Sequence, residues 1–222
     1  MNSFLESFLA LIFPPICLHC HAGVEKSGHL FCALCEKALE NDGGIEEIKE
    51  GLSMASSPFF KLYVLYDYHG PAGSLVRELK YGQQLYLAKT IAAMIALEFH
   101  KQSLEIPDYI VPVPITFFKC LSRGFNQTER IAHYLSKIWG IPVKKSLKRS
   151  LKGKSQAGLS KLQREALSVH EFSLVQDLDL QGKDLLLLDD VMTTGSTLHK
   201  CAETLLAARP RVINGLSFCY SI

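Results

Sequence analysis

Residues 185–197, LLLLDDVMTTGST, decide the fold. Four consecutive leucines, two adjacent aspartates and a run of small hydroxyl residues around one glycine describe a buried strand that stops at a polar edge and turns into a helix. A parallel strand covered on both faces is apolar without alternation, as residues 185–188 are. Asp189 and Asp190 then fall at the carboxyl end of the strand, where open α/β sheets place their ligands. Gly195 permits a positive φ or a close approach of backbone to ligand. Leu198, Ala202, Leu205 and Leu206 continue as a helix, so Thr193, Thr194, Gly195, Ser196 and Thr197 can turn amides and hydroxyls toward one anion at a helix N-terminus.

A phosphate suits such a loop. Two carboxylates just upstream would repel it unless they face something else, and adjacent acceptors suit the vicinal hydroxyls of a ribose. Together these parts describe a ribose 5-phosphate pocket. Helix capping alone needs one Ser or Thr, not four around a glycine. The segment resembles the phosphoribosyl pyrophosphate (PRPP) motif of type I phosphoribosyltransferases. By that resemblance Asp189 and Asp190 hold the ribose hydroxyls and residues 193–197 hold the 5-phosphate.

At 222 residues the chain has room for one α/β domain of roughly 150–200 residues and a small appendage. No apolar run reaches the ~18–20 residues that span a bilayer. The opening stretch, MNSFLESFLALIFPPIC, lacks a basic n-region, carries Glu6 and is interrupted by Pro14 and Pro15, so it does not read as a secretory signal. Phe4, Leu5, Phe8, Leu9 and Ile12 share one helical face and predict a short helix docked on the domain or on a neighbouring chain, with peripheral membrane contact as the lesser alternative. Without an export signal, a cytoplasmic location is expected.

Cys17, Cys20, Cys32 and Cys35 form two C-x2-C pairs separated by eleven residues. Each pair makes a tight knuckle that aims two thiolates at one point, and two knuckles complete a tetrahedral site suited to Zn²⁺. Four cysteines leave no open position for water, so the zinc is expected to be structural. His19, His21 and His29 lie nearby but are not needed as ligands. A redox-active C-x2-C normally occurs singly. Cys120, Cys201 and Cys219 read as buried small hydrophobes. Residues 36–58 are polar and Gly-containing and read as a linker, with a boundary near residue 55. This divides the chain into residues 1–55, an N-terminal helix and zinc element, and residues 56–222, the phosphoribosyltransferase-like domain.

Within the second part, residues 61–68 alternate as a strand, and His69-Gly70-Pro71 breaks it ahead of a helix to Lys80. A helix over residues 85–99, a strand at 108–114, a helix opened by Arg123-Gly124-Phe125-Asn126-Gln127 and reaching Gly140, and a short strand at 141–145 follow. Residues 211–220 supply a closing strand. Strands separated by helices predict a mostly parallel sheet with helices on both faces. Residues 150–159, SLKGKSQAGL, have no apolar period and predict a mobile arm.

Twelve of the 24 Lys and Arg residues lie between Lys119 and Arg164, where Glu129 is the one acid. Such a cluster binds phosphates without regard to sequence. Phe117, Phe118, Phe125, Tyr134 and Trp139 lie in or beside it and can stack on bases, although Tyr134 and Trp139 suit a helix core equally well. PRPP also carries a pyrophosphate, which needs a second anion cradle and usually Mg²⁺ held largely by the substrate's own oxygens. Two stretches qualify: PVPIT at residues 112–116, and Lys80-Tyr81-Gly82.

Taken in order, the cysteine element, Leu79-Lys80-Tyr81, Pro112-Val113-Pro114, RGFNQ at residues 123–127, the basic segment holding Gln156 and Leu159, and the PRPP motif resemble the ComF competence family. Family members often carry further cysteines, whereas none lies here between Cys35 and Cys120, so one zinc is expected. The resemblance implies a type I phosphoribosyltransferase fold in a cytoplasmic protein of natural transformation, which binds PRPP with Mg²⁺ and assists uptake or handling of incoming single-stranded DNA. Competence and DNA-translocation proteins at the inner membrane are its implied partners. Lys80, Tyr81, Arg123, Asn126, Gln127, Arg149, Lys152 and Lys154 are the candidates for contact with pyrophosphate or DNA phosphates. The alternative is a working phosphoribosyltransferase on an unidentified small-molecule acceptor.

Overall fold

The computed structural model of the protein describes residues 15–25, 28–48, 61–82, 84–150, 171–175 and 179–221. Its elements are α1 (Ala33–Asp42), β1 (Glu46–Glu47), β2 (Lys61–Asp67), α2 (Pro71–Tyr81), α3 (Leu87–Lys101), β3 (Tyr109–Pro112), α4 (Phe117–Arg123), α5 (Gln127–Trp139), β4 (Leu147–Arg149), β5 (Phe172–Leu174), β6 (Asp184–Met192), α6 (Ser196–Leu206) and β7 (Val212–Tyr220). Strands β2, β7, β6 and β3 lie side by side in that order and all run parallel, while β1 adds antiparallel to the outer edge of β2. Parallel neighbours cannot be joined by a tight hairpin, and the helices between them are the crossovers.

Successive side chains of β6 enter opposite faces, as strand geometry requires. Leu185 and Leu187 pack with Val64, Val111 and the Leu198, Cys201 and Leu205 face of α6. Leu186 and Leu188 pack with Leu75 and Leu79 of α2, Ile91 and Ile95 of α3, and Ile131 and Leu135 of α5. The expected architecture holds: a mixed α/β fold whose mostly parallel sheet is covered on both faces. Cys17, Phe31, Cys35 and Ile45 belong to the same apolar cluster as Leu75 and Phe218, so the cysteine element is packed onto the sheet's helical layer.

Several local expectations are corrected. Residues 36–42, read as linker, belong to α1, whose Cys35 is buried and whose Leu39 packs on the core. A helix that short is carried by that packing rather than by propensity. The strand expected at residues 141–145 is a single bridge between Val143 and Ile110, because Pro142 cannot donate to a ladder. Cys201 and Cys219 are buried as expected, but Cys120 is exposed on α4. A ribbon of β4 and β5, antiparallel and separate from the main sheet, was not foreseen. The expected N-terminal helix, the boundary near residue 55, and the arm from residue 151 onward with Lys152, Lys154, Gln156 and Leu159 lie outside the described residues.

Helix α2 begins with Pro71 in its first turn and passes close to the end of β2. A Cβ at Gly73 would stand 1.6 Å from the Tyr68 carbonyl oxygen. Gly73→Ala is therefore expected to destabilise the fold by about 2 kcal/mol or more, read as a lowered Tm. Gly44→Ala, where an added Cβ meets nothing within 4 Å, should melt as the wild type does.

Candidate functional site

The site is made by an overhang. Strand β3 stops pairing at Pro112, opposite Leu188, whereas β6 runs on to Met192 beside β7 alone. The Leu188 carbonyl takes the Val113 N–H at 2.9 Å, so the even-numbered backbone groups of β6 face β3. The next of them, the Asp190 N–H, points past the end of β3 and is taken by Asp189 Oδ1 at 2.9 Å. A crevice therefore opens along this edge of β6, between the loop after β3 and the loop after β6.

Because strand side chains alternate, Asp189 and Asp190 leave β6 on opposite faces. Asp190, 4% exposed, meets Lys80 at the end of α2, with Nζ donating to Oδ1 at 2.8 Å. Its Oδ2 is buried and accepts no hydrogen bond. A buried acceptor left unmade costs about 1–3 kcal/mol, and a hydroxyl donor or a cation would relieve it. Asp189 lies on the α6 side. Burial first, and then the charge of Asp190, push its carboxyl up to about 7, against the opposing pull of the Asp190 N–H, Lys80 and Arg149.

The loop after β6 turns on Gly195, whose φ of 73° puts it in the left-handed region at the N-cap of α6. Thr193, Thr194 and Ser196 are exposed. Ser196 donates its N–H to Thr194 Oγ1 at 3.4 Å, and Thr194 and Ser196 hydroxyls lie 3.2 Å apart. With Asp189 and residues 191–198 these groups line a cavity of 40 Å³. Hydroxyls and first-turn amides converging at a helix N-terminus form a cradle for an anion.

Motif residues distant in sequence gather around this crevice. Arg123 donates to Gln127 Oε1 and to the Tyr81 hydroxyl, each at 3.1 Å, and its guanidinium lies 5.0 Å from the Tyr81 ring centroid. Asn126 caps α5 by accepting the Thr128 N–H at 3.0 Å, and donates to the Val113 carbonyl at 3.2 Å. RGFNQ is thus a joint: α4 ends on left-handed Gly124, α5 begins on Asn126, and the joint is tied to the loop after β3. Part of that loop is already employed. Pro112 and Pro114 have no N–H, Val113 is committed at both backbone groups, and Thr116 caps α4. Lys80, by contrast, brings its ammonium into the crevice. Arg149, on β4, is paired with Glu171, which also holds Lys200 of α6. These two contacts, which the sequence did not announce, pin the β4–β5 ribbon to α6.

The four N-terminal cysteines come together as their spacing predicts. Their Sγ atoms lie within 4.8 Å of one another, and those of Cys20 and Cys32 are 3.6 Å apart. Zn–S bonds of about 2.3 Å in a tetrahedron require S···S distances of about 3.8 Å, so the donor set can hold a metal ion such as zinc. Burial opposes ionisation of Cys17, but the N–H groups of Cys20, Cys32 and His19 outweigh it and bring that thiol down to about 6. Nearby histidines are employed elsewhere: His29 pairs with Glu36, and His19 Nδ1 lies 3.0 Å from Ser74 Oγ on α2. Arg77 donates to the same hydroxyl at 2.7 Å and to the Tyr68 carbonyl at 3.2 Å. One helix, α2, therefore carries the contact to the cysteine element near its start and Lys80 at its end.

The Asp189 carboxyl gives a pH signature. Above its ordinary pKa of 3.8 the unfolded chain releases this proton while the folded chain keeps it up to about 7, so the group withdraws stability progressively through that window. Asp189→Asn retains an acceptor for the Asp190 N–H. It should raise Tm at pH 8, with the gain vanishing by about pH 4; an equal shift at both values would contradict the assignment.

A scan against protein-family models finds no match. Individual proteins do match along most of the chain. Competence protein F of Haemophilus influenzae is 26% identical over 205 residues, covering 85% of this chain and 90% of that protein. DNA utilization protein YhgH of Escherichia coli K12 is 27% identical over 215 residues, covering 88% and 92%. Among solved structures, the glutamine PRPP amidotransferase from B. subtilis superposes over 60% of this chain and 25% of its own length, at 19% identity and a TM-score of 0.41, too loosely to add to the topology described above. Among the described residues no helix is long and apolar enough to cross a membrane. The chain is a homologue of competence protein F and of DNA utilization protein YhgH, and the ComF resemblance carried by its motifs holds over most of its length.

Proposed function

We propose that the protein binds PRPP with Mg²⁺ in the crevice beside β6 and serves the uptake or handling of incoming single-stranded DNA in the cytoplasm. The observation that carries the reading is the pairing, on one strand end, of a hydroxyl-lined helix N-terminus with a buried carboxylate whose second oxygen lacks a donor. In this reading Thr193, Thr194, Gly195, Ser196 and Thr197 hold the 5-phosphate, and Asp189 and Asp190, which border the strand end from opposite faces, take one ribose hydroxyl each, Asp190 through the Oδ2 that lacks a donor. Lys80, with Arg123 behind it, supplies cations for the pyrophosphate, and Mg²⁺ is carried mainly by the ligand's own oxygens. The DNA role draws on the names of the relatives, one a competence protein and the other a DNA utilization protein. Zn²⁺ at Cys17, Cys20, Cys32 and Cys35 serves structure: a four-thiolate site is closed to substrate, and two of its members, Cys17 and Cys35, are buried in the apolar cluster that includes α2.

Two measurements test this. Calorimetry with PRPP and Mg²⁺ should show binding to the wild type and at least a tenfold loss in Asp189→Ala/Asp190→Ala; a wild type that does not bind PRPP refutes the reading. Pyrophosphate release on adding an acceptor would mark the protein as a working transferase. Elemental analysis should find one zinc per chain, lost in Cys32→Ser/Cys35→Ser together with a large fall in Tm, since metal-binding free energy at such a site is folding free energy.

A further inference from the structure

Helix α4 is anomalous for its exposure. None of its seven residues is buried. It is held at its ends, by the Thr116 side chain accepting the Lys119 N–H and by Gly124 in the left-handed region. Its apolar residues face solvent: Phe117 is 56% exposed, Phe118 72% and Leu121 71%. Contiguous exposed apolar groups of this size mark a contact surface. The two phenyl rings stand edge to face, 6.1 Å between centroids.

Two further features say what covers it. One is charge. The helix carries Lys119 and Arg123 and no acid, and from Lys119 to Arg149 there are eight Lys or Arg and one acid, Glu129, which Lys145 already pairs. The other is the sequence of flat groups leading inward. Arg123 closes α4 and lies over Tyr81, itself 70% exposed, and the residue before Tyr81 is Lys80, bonded to Asp190 in the crevice. Exposed rings, a planar guanidinium and cations therefore lead from the outer face of α4 to the sheet edge.

A ligand that matches this arrangement offers flat apolar faces separated by negative charges. Single-stranded nucleic acid has that composition, since its unpaired bases present π-faces and its phosphates meet Lys and Arg. A duplex hides its base faces. A bilayer is the poorer fit, because a seven-residue helix is too short to lie in the interface and Tyr81 and Arg123 continue the surface toward the protein's own crevice. We infer that the exposed face of α4, continued by Arg123 and Tyr81, is a stacking surface for single-stranded nucleic acid that leads onto the Asp190 crevice. The inference rests on the DNA-handling part of the proposed function, and Phe117 and Phe118, on which its test turns, have no part in the PRPP reading.

The test uses the full chain and a fluorescein-labelled 20-residue oligothymidylate, read by anisotropy over a salt series. Each stacked base contributes about 1–3 kcal/mol, or roughly 5- to 150-fold in affinity. Phe117→Ala/Phe118→Ala is expected to bind the oligonucleotide at least tenfold more weakly, with unchanged salt dependence, Tm and PRPP binding. Lys119→Ala is expected to flatten the dependence of log K on log salt by about 0.7. If the wild type binds and the double variant binds equally well, the surface lies elsewhere and the inference falls while DNA handling stands. If the wild type does not bind, both fall. If the double variant loses sedimentation with phosphatidylcholine–phosphatidylglycerol vesicles but keeps the oligonucleotide, α4 is a membrane surface and the inference is overturned.

Discussion

The ion pair of Lys80 and Asp190 is the constraint on which the rest of the structure depends. Both groups are largely withdrawn from water, and a buried pair is seldom a net source of stability, because the desolvation of two charges offsets their attraction. Its importance lies in the asymmetry: either charge alone in that position would be far worse than both together. The end of α2 must therefore be delivered to the end of β6 within hydrogen-bond reach. The surrounding architecture does this from both sides. Buried Leu75, Val76 and Leu79 hold the body of α2, Gly73 lets its first turn close on Tyr68, and Ser74 with Arg77 ties the same helix to the cysteine element.

The crevice gathers several energetically unfinished groups on one strand end. Asp190 keeps an oxygen with no donor, Asp189 is held where its charge is disfavoured, and the hydroxyls after β6 bond mainly to one another. Groups of this kind cost stability, and a donor or cation that completed them would relieve that cost. The metal element has the opposite character. Its four thiols form a closed set and its packing face is continuous with the core, so its contribution is made to α2 and the sheet rather than to any ligand.

Much of this was legible in the chain. Residues 185–188 announce a doubly covered strand because a short unbroken apolar run ending at Asp189-Asp190 and a glycine-containing loop leaves no face for water, and the cysteine spacing announces a common point because a C-x2-C knuckle has few alternatives. The polarity of the sheet followed from the alternation of elements. What escaped is equally physical. Helix α1 was lost among glutamates and glycines because one buried cysteine and Leu39, not a strong amphipathic period, hold it in place. Helix α4 buries nothing and so leaves no pattern of burial to read. The β4–β5 ribbon pairs Leu147 with Leu174 across the segment between, a contact no local window contains. Asp189 and Asp190 looked like a matched pair, yet strand alternation, available from the residues alone, sends them to different faces. Of the aromatics beside the basic cluster, Phe125, Tyr134 and Trp139 pack against the core, Trp139 on Phe99 at 4.9 Å, which leaves Phe117 and Phe118 outside.

The order of strands sets how the molecule is made. Lys61 pairs with Asn214 in the middle of the sheet, and the two partners of the buried ion pair are 110 residues apart. Sheets closed by such remote pairings fold slowly, since loop-closure entropy is lost before the contacts that offset it can form. During synthesis β2, α2 and α3 emerge with their apolar faces bare and no β7 or β6 to lie against. Lys80 then has no buried counter-ion to meet until most of the chain has been released. A nascent fragment of this protein can complete its cysteine knuckles early, but it cannot possess the crevice, which is assembled only when β7 seats between β2 and β6.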